Sequence, residues 1–159
     1  MNIREYKDED RTSVLKCIVE LQEFEKAFEP DRIEGAKMAE GYLQYLVQEC
    51  GQNRGHIFVA EVNGLITGFI AAWPETDTVA KTALLTHHTY IYISDLVVLP
   101  SYRKQGIGAA LIKQVEKFAM ESGVKLLRVN VLTQNSFAAD FYRRMGYRDY
   151  EISLIKETQ

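Results

Sequence analysis

Apolar positions change their period several times along the chain. From Arg11 to Phe28, residues Val14, Leu15, Ile18, Leu21 and Phe24 or Phe28 recur at the i, i+3, i+4, i+7 spacing of one helix face. Asp8-Glu9-Asp10 supply a cap and a negative first turn for that helix, and a short strand around Ile3 precedes it. Pro30 breaks the pattern, which resumes through Ile33, Met38, Tyr42, Leu46 and Val47 and stops at Gly51. From His56 the period is that of strands. "HIFVAEV" and "LITGFIAAW" flank Asn63-Gly64, a hairpin signal because both residues tolerate positive φ. Pro74 is expected to end the second strand, and residues 75–88 form a polar connection. Thr89 to Pro100 is a β-branched and aromatic strand that alternates to about Asp95 and loses its phase in Leu96-Val97-Val98, as a β-bulge there would cause.

A helix is expected from about Gly108 to Ser122, with Leu111, Ile112, Val115, Phe118 and Ala119 as its apolar stripe and Gly123 as its stop. Lys125 to Leu132 reads as a strand. "NSFAADFYRRMGY" reads as a short helix capped by Asn135 or Ser136 and closed by Gly146, and "RDYEISLIKE" as a final strand. The order β, αα, βββ, α, β, α, β contains no repeat and no linker, which predicts one α/β (α+β) domain over residues 1–159 around a mixed sheet.

Composition narrows the class without naming a function. With 47% hydrophobic and 26% charged residues a packed core is expected, and a net charge of -3 argues against a broad footprint for nucleic acid or an anionic membrane. Cys17 and Cys50 have no CxxC spacing and no partnering histidine, and His87 and His88, adjacent on a strand, would point to opposite faces, so no metal is expected. The charged N-terminus and the absence of a long apolar run predict a cytoplasmic protein with no membrane partner.

The chemistry concentrates in "SYRKQGIGAALIKQVEKFA", a glycine turn leading into a helix. Such a turn offers unpaired N–H groups and the positive end of the helix dipole to an anion. Ala109, Ala110 and Leu111 follow the glycines, so the lysine and hydroxyl of a P-loop are missing. Leu111 also stands where a dinucleotide fingerprint has its third glycine. The turn does match R/Q-x-x-G-x-G/A, as Arg103-Lys104-Gln105-Gly106-Ile107-Gly108. It is preceded by "DLVVLPSY" and followed about 30 residues later by Asn135, Ala138 or Ala139, Phe141-Tyr142 and Gly146-Tyr147.

On these motifs and on its order of elements the chain resembles the GNAT superfamily of N-acetyltransferases. The resemblance implies a mixed, mostly antiparallel sheet splayed at its fourth and fifth strands and flanked by helices. It also implies acetyl-CoA as co-substrate, with no metal, and an amine acceptor. In the implied site Arg103, Lys104, Gln105, Gly106, Ile107, Gly108 and Ala109 meet the pyrophosphate, and Leu96, Val97 and Val98 meet the pantetheine arm. A backbone amide near Val97 or Val98 polarises the thioester oxygen, Asn135 hydrogen-bonds the arm, and Tyr142 is the general acid.

Residue-level alternatives stand beside these roles. Asn135 serves equally as a helix N-cap, and Tyr142 as an aromatic core residue next to Phe141. The general base is open between Asp95 and an ordered water, with Ser94 occupying a position where some relatives carry a carboxylate. Glu25 and Glu29 stand between cation-binding groups and solvated surface charge. The leading expectation is direct acetyl transfer to an amine, a small molecule before a protein. A catalytically weak acyl-CoA sensor module is the alternative. The resemblance also implies a homodimer, for which the edge of the final strand is the candidate contact.

Overall fold

The computed structural model describes residues 1–78, 81, 83–84 and 89–158. Among these residues five strands, β1 (Asn2–Glu5), β2 (His56–Val62), β3 (Leu65–Thr76), β4 (Thr89–Val98) and β5 (Leu127–Val129), lie in the spatial order of their sequence. The first four pair antiparallel, and β5 joins β4 in parallel. Helices α1 (Arg11–Lys26), α2 (Gly35–Gln52), α3 (Ile107–Glu121) and α4 (Ser136–Arg144) cover the sheet. This is the mixed, mostly antiparallel sheet between helices that the sequence predicts.

Strand alternation between two covered faces explains why the middles of the central strands, residues 57–60 of β2 and 69–73 of β3, are apolar at every position. Ile57 and Val59 of β2 with Phe69, Ala71 and Trp73 of β3 pack under Val14, Cys17 and Ile18 of α1 and Leu43 and Leu46 of α2. The intervening Phe58, Ala60, Ile70 and Ala72 pack on the opposite face against Ile107, Leu111, Ile112 and Val115 of α3. Both faces are therefore dry, and each fully buried Ile, Leu or Phe contributes roughly 1.5–3 kcal/mol relative to exposure.

One extra residue reshapes β4. Ala72 pairs with Ile93 and Ala71 with Asp95, so Ser94 is unmatched and forms a bulge. Before it, Ile91 and Ile93 face α3; after it, Val97 joins the α1/α2 core instead. The same inversion turns Asp95 toward α2, where Tyr42 meets it. The bulge also bends the strand away from β5, whose pairing stops at Ile93↔Val129. Beyond that point the two strands part, at the splay implied by the sequence.

Several expectations are corrected. The bulge sits at Ser94 rather than at Leu96 to Val98, because Leu96-Val97-Val98 alternate normally between two apolar faces and only mimic a loss of phase. β3 continues past Pro74 to Thr76, since β2 has already ended at His56↔Ala72 and asks no N–H of Pro74 on that side. The second helix begins at Gly35, leaving Ile33 outside it and 62% exposed. β5 is three residues long, not eight, because it parts from β4. The final strand expected from Arg148 onward does not form. Ile152, Leu154 and Ile155 alternate suitably but stand 77%, 90% and 97% exposed with no ladder to join, and strand propensity alone does not make a strand. The edge offered as a dimer contact is thus not present in that form. His87 and His88 lie outside the described residues. Among those residues no helix is long and apolar enough to cross a membrane, and no group of three or more His, Cys, Asp or Glu could hold a metal.

Candidate active site

A cavity of about 340 Å³ opens where β4 and β5 part. Its walls come from Gln22 and Glu25 of α1, Arg32, Tyr42 of α2, Ser94 to Leu96 of β4, Val129 to Leu132, and Asn135, Ala138 and Tyr142 at α4. Three residues singled out in the sequence, Asp95, Asn135 and Tyr142, therefore share one chamber.

Asp95 is buried at its base. The Tyr42 hydroxyl lies 3.0 Å from its Oδ2 and 3.2 Å from its Oδ1, donating to the carboxylate across 53 positions of sequence. Burial pushes the Asp95 carboxyl above the usual range, while Ser94, Tyr42 and the positive charge of Arg32 pull the other way. A carboxyl so placed can accept a proton near neutral pH more readily than an exposed one.

Tyr142 is 7% exposed and held edge-on by Phe141 and Tyr147, with ring centroids 5.3 Å away in each case. Burial above all, then the nearness of Tyr147, Asp95 and Glu25, raises its phenol well above the ordinary value, so it stays protonated and able to donate. Its core and cavity roles coexist. Asn135 is the N-cap of α4, its Oδ1 accepting from Ala138 N–H at 3.1 Å. With Oδ1 engaged, its Nδ2 hydrogens are the group left for a ligand.

The glycine turn ends in the N-cap of α3. Gly106 has φ +82 in the left-handed region, Lys104 before it has φ 61, and a Cβ on Gly106 would meet nothing within 4 Å. The first N–H to bond back is that of Ala110, to Gly106 O at 3.0 Å, so those of Gly106, Ile107, Gly108 and Ala109 precede the helical ladder and are available to an anion. Gly108 has a different reason for lacking a side chain: a Cβ there would lie 3.2 Å from Cζ of Phe141. It lets α3 and α4 approach. Arg103 is spent on structure, its Nε donating to Val98 O at 2.9 Å and its Nη2 lying 3.5 Å from Glu20. Gln105 Nε2 closes the turn on Ser101 O at 3.2 Å.

Along β4, Leu99 N–H bonds to Thr67 O on the β3 side. Alternation then directs the backbone groups of Val97 toward β3 and those of Leu96 and Val98 toward the parted side. Val97 is thereby removed as an amide facing the cavity.

Sequence reasoning missed Tyr42 and Arg32. In the sequence Tyr42 is only part of a helical stripe, since a contact 53 residues away leaves no local trace. Arg32 ties Glu25, Glu29 and Gln22 together at 2.8, 2.8 and 3.0 Å, so the two glutamates are ion-paired rather than freely solvated. Of these two, Glu25 lines the cavity, its carboxyl raised by burial and countered by Arg32.

The family model described as Acetyltransferase (GNAT) family matches residues 19–147. Thialysine N-epsilon-acetyltransferase of Sus scrofa is 33% identical over 157 residues, spanning 92% of this chain and 84% of that protein. Among solved structures, a tetramutant of the BH1408 protein from Bacillus halodurans superposes with a TM-score of 0.85 at 21% identity, over 99% of this chain and 100% of that one. Aminoglycoside N-acetyltransferase AAC(6')-Iy, solved in complex with CoA, superposes at 0.70 with 16% identity, over 99% of each chain.

Proposed function

The chain belongs to the GNAT family of acetyltransferases and is an acyltransferase, and on that premise we propose that it carries an acetyl group from acetyl-CoA directly to the primary amine of a small molecule. The observation that carries this reading is the cavity at the parting of β4 and β5, lined at once by a buried carboxyl, Asp95, and a protonated phenol, Tyr142. The relative in Sus scrofa is named for thialysine and the CoA-bound structure for aminoglycosides, both small amines.

The residues divide the work as follows. The N–H groups from Gly106 to Ala109 and the α3 dipole receive the pyrophosphate, with Lys104 and Gln105 beside it. The backbone N–H and C=O of Leu96, on the parted side of β4, receive the amides of the pantetheine arm as an added strand would, and Asn135 donates through Nδ2. When bound, acetyl-CoA supplies an activated thioester. The Val98 N–H polarises its carbonyl oxygen, Asp95 takes a proton from the acceptor ammonium so that the free amine forms the new C–N bond, and Tyr142 gives a proton to the sulfur as the C–S bond breaks.

Release of thiol from acetyl-CoA over a panel of small amines tests the reading. Turnover on at least one amine is expected, with Tyr142→Phe lowering kcat about 10²-fold or more at saturating acceptor. An unchanged kcat would remove Tyr142 as the acid. Tight acetyl-CoA binding with no turnover on any amine would instead favour a sensor module.

A further inference from the structure

We infer that Tyr42 is a positioning residue, whose hydroxyl, carried in on α2, holds the Asp95 carboxylate in the orientation from which it serves the acceptor amine. The inference deepens the proposed reaction and rests on the reading of Asp95 as its base.

The geometry is specific. Ser94 as the extra residue of β4 turns Asp95 to the α2 side of the sheet, and there the Tyr42 hydroxyl stands 3.0 and 3.2 Å from its two oxygens. The phenolic hydroxyl has one hydrogen, so from Tyr42 the two oxygens share a single donor, which straddles the carboxylate and limits its rotation. Both residues line the cavity. Tyr42 is itself fixed from behind, stacked on Tyr45 at 5.8 Å, and Tyr45 meets Trp73 edge-on at 6.4 Å.

The position of α2 is fixed as well. Gly35 N–H donates to Glu23 Oε1 of α1 at 2.7 Å, and Gln22 Nε2 donates to Ile33 O at 2.8 Å. A Cβ on Gly35 would stand 3.0 Å from the backbone of Val19, so the two helices touch at the start of α2, two turns before Tyr42. The hydroxyl that reaches Asp95 is thus placed by a chain of contacts that begins on α1.

The groups facing Asp95 come from every neighbouring element. Glu25 is on α1, Arg32 lies between α1 and α2, Tyr42, Tyr45 and Cys50 are on α2, Tyr92 and Ser94 are on β4, and Tyr142 is on α4. Arg32, Ser94 and Tyr42 favour the charged carboxylate, and burial opposes them. Tyr42, the one of the three carried on α2, can be changed by a single atom, its hydroxyl oxygen. Its removal leaves burial less opposed, so Asp95 holds its proton to higher pH.

The test is the pH profile of kcat/KM for the wild type, Tyr42→Phe and Asp95→Asn. It is paired with ¹³C NMR titration of the Asp95 carboxyl in the full-length protein without substrates, assigned against Asp95→Asn so that Glu25 is read separately. Tyr42→Phe should move the Asp95 titration and the acidic limb of the profile upward by about one pH unit, while the high-pH plateau falls only a few-fold. Should Tyr42→Phe not fold, 3-fluorotyrosine at position 42, a stronger donor of nearly the same shape, should move both in the opposite direction. If the Asp95 titration stays in place, the inference is overturned. If it moves while Asp95→Asn keeps full activity, Tyr42 still positions the carboxyl and the reading of Asp95 as the base is what fails.

Discussion

Gly108 of α3 and Phe141 of α4 are in contact through the hydrogen that replaces a side chain, the glycine's missing Cβ falling 3.2 Å from the ring's Cζ and 3.4 Å from its Cε2. Because Phe141 adjoins Tyr142 and meets it edge-on, the helix that offers its N-terminus to an anion is packed directly against the helix that carries the proposed acid. Gly108→Ala would gain about 1 kcal/mol of helix propensity and lose a similar amount as the ring is displaced. Stability should therefore change by less than about 1 kcal/mol, while kcat falls several-fold through Tyr142; thermal melts and steady-state kinetics measure the two sides. Gly106→Ala should behave oppositely, costing about 1–2 kcal/mol because of its positive φ although its surroundings are open. A Gly108→Ala enzyme with wild-type kcat would show that the contact does not reach Tyr142.

Asp95 lets activity and stability be separated. Its carboxyl is raised by burial, so as pH increases the unfolded chain gives up this proton before the folded one does. Stability from this group is full below the unfolded value of about 4 and is lost as pH rises through the higher folded value. Asn does not titrate. Asp95→Asn should thus raise the melting temperature relative to the wild type, increasingly so as pH rises above about 4, while reducing acetyl transfer. A melting difference that does not vary with pH would contradict the burial argument.

Asp10 has the opposite sign. Two hydrogen bonds from Arg4, at 2.6 and 2.8 Å, and one from the Lys7 N–H at 2.9 Å hold its carboxyl below the usual range, the Arg4 contacts being the larger cause. A depressed folded value contributes stability above the unfolded one and loses it as pH falls through the folded one. Asp10→Asn should cost about 1–3 kcal/mol at pH 7, and the gap to wild type should close below about pH 4 in urea titrations. A gap that persists at pH 2 would mean that packing, not charge, holds the corner between β1 and α1.

Neither cysteine should act in transfer. Cys17 and Cys50 are buried in the α1/α2 core with their thiols pushed up to about 12, chiefly by burial, which leaves almost no thiolate at neutral pH. A disulfide reagent should label both only on unfolding. Cys17→Ala and Cys50→Ala should each keep the native transfer rate, and a thiol-dependent burst of acetyl release would contradict direct transfer.

The fold was legible where local chemistry decides it. The hairpin at Asn63-Gly64, the stop at Gly123, the cap at Asn135 and the turn at Gly106 all follow from one residue's backbone preferences or hydrogen-bonding reach, and each is found in place. What escaped was set by partners elsewhere in the chain. β5 ends early because β4 bends away from it, and Pro74 is tolerated because β2 has stopped short. The segment after Arg148 has a strand's alternation and no strand beside it. The proposed site divides in the same way. Asp95, Asn135 and Tyr142 could be singled out by motif, whereas Tyr42 and Arg32 reach the cavity only through the packing of α1 and α2. Arg103 matched a phosphate motif yet is committed to Val98 and Glu20.

The unmatched Ser94 means that this site is written in the length of the chain as much as in its letters. Excising that single residue would leave Asp95 opposite Ala71 on the α2 side and would restore an uninterrupted ladder, yet the bend that carries β4 away from β5 would go with it and the cavity between them would close. Among relatives, a gap of one residue at this place would therefore separate open sites from closed ones more sharply than many substitutions. Insertions and deletions in β4 are as informative about chemistry as the identity of the carboxylate.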